Sequence, residues 1–406
     1  MHVAFVEPAF PHYQRQFVRS LKQVGAYVSG IGERPREALG EAGQWLDHYE
    51  QVPSVCHVPS MVAAVQRIQK RGPWLDTIEA TIEAHIEAAA ETREARGVPG
   101  MTREQAILCR DKPKMKEFLR SRGIPCAATK GVSSIAELKE FVEQVGYPVI
   151  VKPRAGAGAS GTYRIDDEAE LMRVAVECGL ADGASVAAEE FVSGHEGFYD
   201  TMTIGGSVAL EFISHYFPGV LKAMRTRWIS PQIISTNRIG AAGYDEVKVM
   251  GAKVIRALGL GTTATHMEWF FGPKGLKFSE IGARPPGVGQ WDLYCAGNEF
   301  DLYRQWAMAI VHGRIDQQPS RRFSSGLIAL RPDRDGRIVG YEGVDALQRE
   351  FGAAIIDAHF PAPGTRTQPV EAGYMANAWV RVRHPDYDEL RRILDAIGQR
   401  LKVTAQ

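Results

Sequence analysis

His266-Met267-Glu268-Trp269-Phe270-Phe271 runs into Gly272-Pro273-Lys274-Gly275 and out through Leu276-Lys277-Phe278-Ser279-Glu280-Ile281-Gly282-Ala283-Arg284. Two apolar-rich arms flank a turn sequence, which predicts a β-hairpin. Each arm carries one glutamate among bulky neighbours. Like charges facing each other across strands repel unless something positive lies between them. A hard divalent cation, held by oxygen ligands and shared with phosphates, would meet that need. Side chains alternate faces along a strand. A loop of Gly272 to Leu276 pairs Phe271 with Lys277 and sets Glu268 opposite Glu280, whereas an even loop sets them on opposite faces. The metal reading therefore expects an odd loop, with His266, Phe278, Gly282 and Arg284 on the glutamates' face. The same residues also suit a solvated edge hairpin with two unrelated acids.

A second signal lies upstream. Val149-Ile150-Val151-Lys152-Pro153 reads as a β-branched strand, followed by Arg154-Ala155-Gly156-Ala157-Gly158-Ala159-Ser160-Gly161. This contains Gly-x-Gly-x-x-Gly, but a dinucleotide fingerprint needs a helix to begin there. Thr162-Tyr163-Arg164-Ile165 reads as a strand instead, so the glycines form a hairpin tip. Such a loop lets backbone N–H groups approach phosphate oxygens closely. Lys152 can place a charge on a phosphate, and Lys112, at a helix start, is a second candidate. A surface turn with solvated lysines is the plainer alternative. Glu189-Glu190-Phe191-Val192-Ser193-Gly194-His195-Glu196 could present backbone groups to a purine edge and a carboxylate to ribose, or form an acidic turn.

Composition bounds the answer. The 406 residues suffice for several domains, and 45% apolar with 24% charged residues fits a globular chain. Lys plus Arg equals Asp plus Glu at 48 each, so no bulk basic charge argues for nucleic acid. No apolar run reaches the length of a membrane span, and Met1 to Glu7 lacks the features of a secretory signal. The five cysteines form no CxxC pair, which fits reduced thiols in the cytoplasm.

Along the chain, strand and helix alternate from His2 to about residue 105, which predicts a parallel sheet. Thr102 to Gln105 fits a capping box, and Asp111 to Arg122, Ala136 to Val145 and Asp245 to Leu258 read as helices. From Ser324 the pattern turns to short strands, closing with a helix from Asp386 to Leu401. Lys222, Arg225, Arg227 and Arg238 lie in an irregular segment, where arginines could grip a substrate carboxylate. His12 and Tyr13, after strand one, sit where open α/β sheets place ligands.

Together these pieces resemble the ATP-grasp superfamily. The resemblance rests on Arg110-Asp111-Lys112, on Lys152 with its glycine loop, on Glu189 to Glu196, on His266-x-Glu268 and on Glu280-Ile-Gly-Ala-Arg284. It spans about residues 80 to 300 and points to the carboxylate–amine ligase and biotin carboxylase branches. It implies an α/β and α+β molecule: a Rossmann-like pre-ATP-grasp domain over 1–107, an ATP-grasp domain over 108–320 with a lid at about 125–190, and a small C-terminal α+β domain over 321–406. Lys112 and Lys152 would bind ATP phosphates, with Gly156, Gly158, Ser160 and Gly161 as a cover. Glu189 and the Val192 backbone would hold adenine, and Glu196 the ribose. Glu268 and Glu280 would hold magnesium, or manganese in its place. Arg284, with Lys152, would stabilise transferring charge, and Arg225, Arg227 and His266 would touch substrate. One departure stands out: Gly282 occupies the place of an asparagine metal ligand.

The implied reaction joins a small carboxylate, such as an amino acid, to an amine through an acyl phosphate, releasing ADP and phosphate. Bicarbonate activation of the biotin carboxylase type and ATP binding without chemistry are the rival expectations. A homodimer without nucleic-acid or membrane partners is also implied.

Overall fold

The computed structural model describes residues 1–155 and 161–406. Near the N-terminus, four strands form a parallel sheet. His2–Val6 lies between Tyr27–Gly32 and Thr77–Glu79, and His48–Gln51 pairs with Tyr27–Gly32. Their apolar side chains pack against helices Gln14–Gln23, Val58–Arg71 and Ile86–Arg96. The segment after Thr77–Glu79 runs as loop and short turn before helix Ile86–Arg96 begins, so the helix starts later than the Glu/Ala-rich run from Thr81 suggests.

A second, antiparallel sheet holds Thr129–Val132, Val186–Glu190, Val149–Pro153 and Tyr163–Ile165. Val149 pairs with Ile165 and Val151 with Tyr163, which makes the expected hairpin around the glycine segment. Its next helix, Glu168–Glu177, begins only after Asp167 caps it. Gly156, Gly158 and Ser160 lie outside the described residues.

The largest sheet has eight strands. Gly275–Gly282 and Thr263–Gly272 are followed by His195–Ile204, Ser207–Phe217 and Gln232–Ser235, and the sheet continues into Ser324–Leu330, Ala378–His384 and Ile355–His359. Hydrogen bonding thus runs unbroken across residue 320, where the sequence places a domain boundary. The helix Tyr387–Arg400 covers its C-terminal part, capped by Asp386. Thr102 and Gln105 form the predicted capping box. No helix among the described residues is long and apolar enough to cross a membrane.

Candidate active site

A cleft of about 930 Å³ lies where the second sheet faces the large one. Lys112, Lys152, Glu189, Val192, Glu196, Arg225, His266, Glu268, Glu280 and Arg284 all line it. The structure therefore gathers most of the residues expected from sequence, though they come from five separate stretches of chain.

Glu268 and Glu280 are direct cross-strand partners. The route to that register differs from the one expected. The turn is the even, two-residue Pro273-Lys274, with Gly272 paired to Gly275 and Phe271 to Leu276. A β-bulge then leaves Ser279 unopposed and shifts the register by one, so parity is restored within the strand rather than in the loop. Phe278 accordingly pairs with Trp269; it is buried in the adjoining apolar cluster and also lines the cleft with the glutamates.

Each carboxylate is held from the side. The Tyr216 hydroxyl donates to Glu268 Oε1 at 3.2 Å, and His266 Nε2 lies 3.6 Å from the same oxygen. Lys112 Nζ lies 3.2 Å from Glu280 Oε2. His266 Nδ1 sits 2.7 Å from Asp200 Oδ1, and Tyr294 donates to Asp200 Oδ2 at 2.5 Å. Burial alone would lower the His266 pKa, but the Asp200 carboxylate outweighs it and raises the value to about 9. Two facing carboxylates are a hard-oxygen donor set that suits magnesium or manganese. Among the described residues no cluster of three or more His, Cys, Asp or Glu side chains could hold a metal alone, so phosphate oxygens would complete the shell.

Behind this pair lies a buried charge triad that sequence reasoning missed in part. Glu189 Oε2 is 2.8 Å from Lys116 Nζ and 2.9 Å from Lys152 Nζ. Burial would raise the Glu189 pKa, but the two ammonium groups pull it down to about 2. The Glu189 carboxylate is thus engaged by lysines through Oε2, while its Oε1 has no hydrogen-bond partner among the described residues. The neighbouring residues Glu190 to Gly194 also line the cleft, with the Glu190 and Phe191 amides bonded to the Ala128 and Pro148 carbonyls. Lys116 is one helical turn from Lys112 on helix Lys112–Ser121, and that four-residue spacing was its only sequence signal. Asp111 caps the helix through the Lys114 amide at 3.1 Å and grips Arg154 at 2.9 Å.

Arg284 is held by Glu83, with Nε 2.6 Å from Oε2, and it also donates to the Pro285 carbonyl. Arg110 binds Glu83 from the other side. A Cβ at Gly282 would lie 3.0 Å from Glu83 Oε2. Glycine at 282 therefore makes room for an acid delivered by the N-terminal sheet. Nothing local in the sequence announces that approach across two hundred residues.

The remaining candidates divide. Glu196 is buried and accepts from the Val220 amide at 2.7 Å; burial, then the Glu268 charge, push its pKa up to about 8. Lys222 and Arg225 line the cleft, and Arg225 reaches the Thr162 carbonyl across it. Arg227 instead pairs with Asp335 at 2.6 Å and Arg238 with Asp388 at 2.8 Å, and neither lines the cleft. Their charges tie the irregular segment to the loop holding Asp335 and to the helix Tyr387–Arg400. Gly161 has φ +65° and packs on Pro153, beside the cleft rather than on its wall.

Residues 117–300 match the family model described as the ATP-grasp domain. The chain carries an ATP-grasp domain. Lys152, Glu189, Glu196, Glu268, Glu280 and Arg284 fall inside the matched ATP-grasp region; Glu83 and Lys112 precede it. The chain is 29% identical to an L-arginine-specific L-amino acid ligase of Bacillus subtilis over 251 residues, which spans 60% of each chain. It is 24% identical to a formate-dependent phosphoribosylglycinamide formyltransferase of Chlorobium phaeobacteroides over 87% of each chain. The solved L-amino acid ligase from Bacillus licheniformis has the same fold, with a TM-score of 0.77 and 17% identity over 100% of this chain and 98% of that one. N5-carboxyaminoimidazole ribonucleotide synthetase from Thermotoga maritima aligns with a TM-score of 0.69 and 19% identity, covering 100% of this chain and 99% of that one. The fold shared with these structures thus extends over the whole chain, including the N-terminal parallel sheet and the C-terminal strands.

Proposed function

We propose that the chain is an ATP-dependent carboxylate–amine ligase that forms an amide through an acyl phosphate and releases ADP and phosphate. The observation that carries this reading is the convergence of Lys112, Lys152, the Glu268–Glu280 pair and Arg284 on one cleft. Phosphoryl transfer needs positioning and charge neutralisation more than covalent help from the protein. Glu268 and Glu280 would hold magnesium or manganese, which when bound neutralises phosphate charge. Lys112 and Lys152 would hold phosphate oxygens. Arg284, freed from or sharing Glu83, would orient the substrate carboxylate and stabilise charge on the transferring group.

An amino acid is the favoured carboxylate. Glu83 and Arg284 stand side by side with opposite charge, which is complementary to an ammonium and a carboxylate on one small molecule. Relatives named as L-amino acid ligases support the same choice.

The test is ADP and phosphate release from Mg-ATP with pooled amino acids and amines, followed by mass spectrometry of the products. Stimulated release with a new amide mass is expected. Glu280→Gln should lower that release by at least about 100-fold while the fold persists. Stimulated ADP release without an amide product would count against a ligase.

A further inference from the structure

Part of the cleft wall is apolar. Phe198, Tyr216, Ile233 and Val288 line it and pack in one cluster. Gln290 shares this lining and is completely buried, at 0% exposure. Its Oε1 has no hydrogen-bond partner among the described residues.

The orientation of that amide follows from its neighbours. The Asp200 carboxylate can only accept, so the Tyr294 hydroxyl must donate to it, at 2.5 Å. The Tyr294 oxygen is then left to accept from Ser214, whose Oγ lies 3.2 Å away. With its proton directed to Tyr294, Ser214 Oγ accepts from Gln290, and Nε2 is the half that lies 3.0 Å away. The relay therefore has one polarity from Gln290 to Asp200. It leaves Oε1 as an unused acceptor on an apolar wall. Buried polar atoms are generally paired, and an exception calls for an explanation.

We infer that Gln290 is a specificity residue for the amino-acid substrate, and that it receives an uncharged N–H or O–H donor at the end of a largely apolar side chain. The inference rests on the ligase reading above. A carboxamide or hydroxyl fits the vacant acceptor. A guanidinium or ammonium there would be desolvated against a neutral amide, and a carboxylate would meet an acceptor. Arginine should therefore be a poor substrate for this pocket.

The experiment compares matched side chains in Mg-ATP-dependent ADP release. Glutamine is set against methionine and homoserine against norvaline, with arginine as a third arm. Wild-type protein should favour the donor-bearing member of each pair by at least about tenfold in kcat/KM, because a site built to bond a donor rejects the analogue lacking it. Gln290→Met should bring the ratios near one, and Gln290→Asn should keep the amide but move the preference toward a longer side chain. Ratios near one in the wild type, ratios unmoved by Gln290→Met, or a matching rise in KM for ATP would overturn the assignment. If no amino acid stimulates ADP release, the ligase reading fails. Equilibrium dialysis of labelled glutamine and methionine then tests the pocket alone. A Gln290-dependent preference would sustain it, and equal or absent binding would sink it.

Discussion

At Gly282 a single missing methyl group decides what Arg284 touches. An added Cβ would press on Glu83 Oε2 at 3.0 Å, with Arg284 Cγ at 3.4 Å on its other side. Gly282→Asn should push Glu83 off Arg284 and lower amide-forming turnover by roughly 10- to 100-fold, with Gly282→Ala in between; steady-state kinetics on both variants would check it. The Glu189 triad makes a prediction about acid. Its pKa is depressed from an ordinary 4.5 to about 2, so its stabilisation is complete above 4.5 and is lost as pH falls toward 2. Glu189→Gln should abolish that pH dependence and, by leaving two lysines buried without a counter-charge, cost about 3–5 kcal/mol. Denaturant midpoints between pH 6 and pH 2.5 would show both effects. At this scale the sequence was legible where partners lie close along the chain, as with Glu268 and Glu280. It gave no role to Lys116, Glu83, Asp200 or Gln290, whose contacts join distant segments.

Helix Lys112–Ser121 shows how one element arms the cleft. Asp111 caps it and binds Arg154, and the Lys112 amide donates to the Arg154 carbonyl at 3.0 Å. The cap thereby joins the first lysine to the end of the strand that carries the second. Asp111→Ala should cost about 1 kcal/mol of stability from the lost cap and raise KM for ATP more than it lowers kcat. Asp111→Asn, which retains a capping oxygen but loses the full ion pair, should show the KM effect with little loss of stability. Thermal melts alongside ATP titrations would separate the two. Caps and strands were readable because their signals are local. The Ser279 bulge was not: its position follows from a tight turn competing with the need to face Glu280 inward, and only the folded register reveals which of the two yields.

Across the whole molecule, the eight-stranded sheet joins the hairpin that carries Glu268 and Glu280 to strands beyond residue 320. A chain ending at 320 would strip Ser324–Leu330 from Gln232–Ser235, a fully buried strand, and leave an apolar edge open to other chains. Residues 1–320 should therefore be recovered mainly as aggregate, and the intact chain as a soluble species, by size-exclusion chromatography. Sequence periodicity reported the C-terminal strands and helix but not their membership of the large sheet, since strand order is a property of pairing between remote segments.

The one-way chain of hydrogen bonds from Gln290 through Ser214 and Tyr294 to Asp200 ends on His266, beside Glu268. Choice of side chain and charge at the reaction centre are thus not separable modules. Reshaping this pocket for a different ligand side chain would therefore disturb the electrostatic setting of the Glu268–Glu280 pair, and under the proposed function selectivity and rate would have to be tuned as one variable.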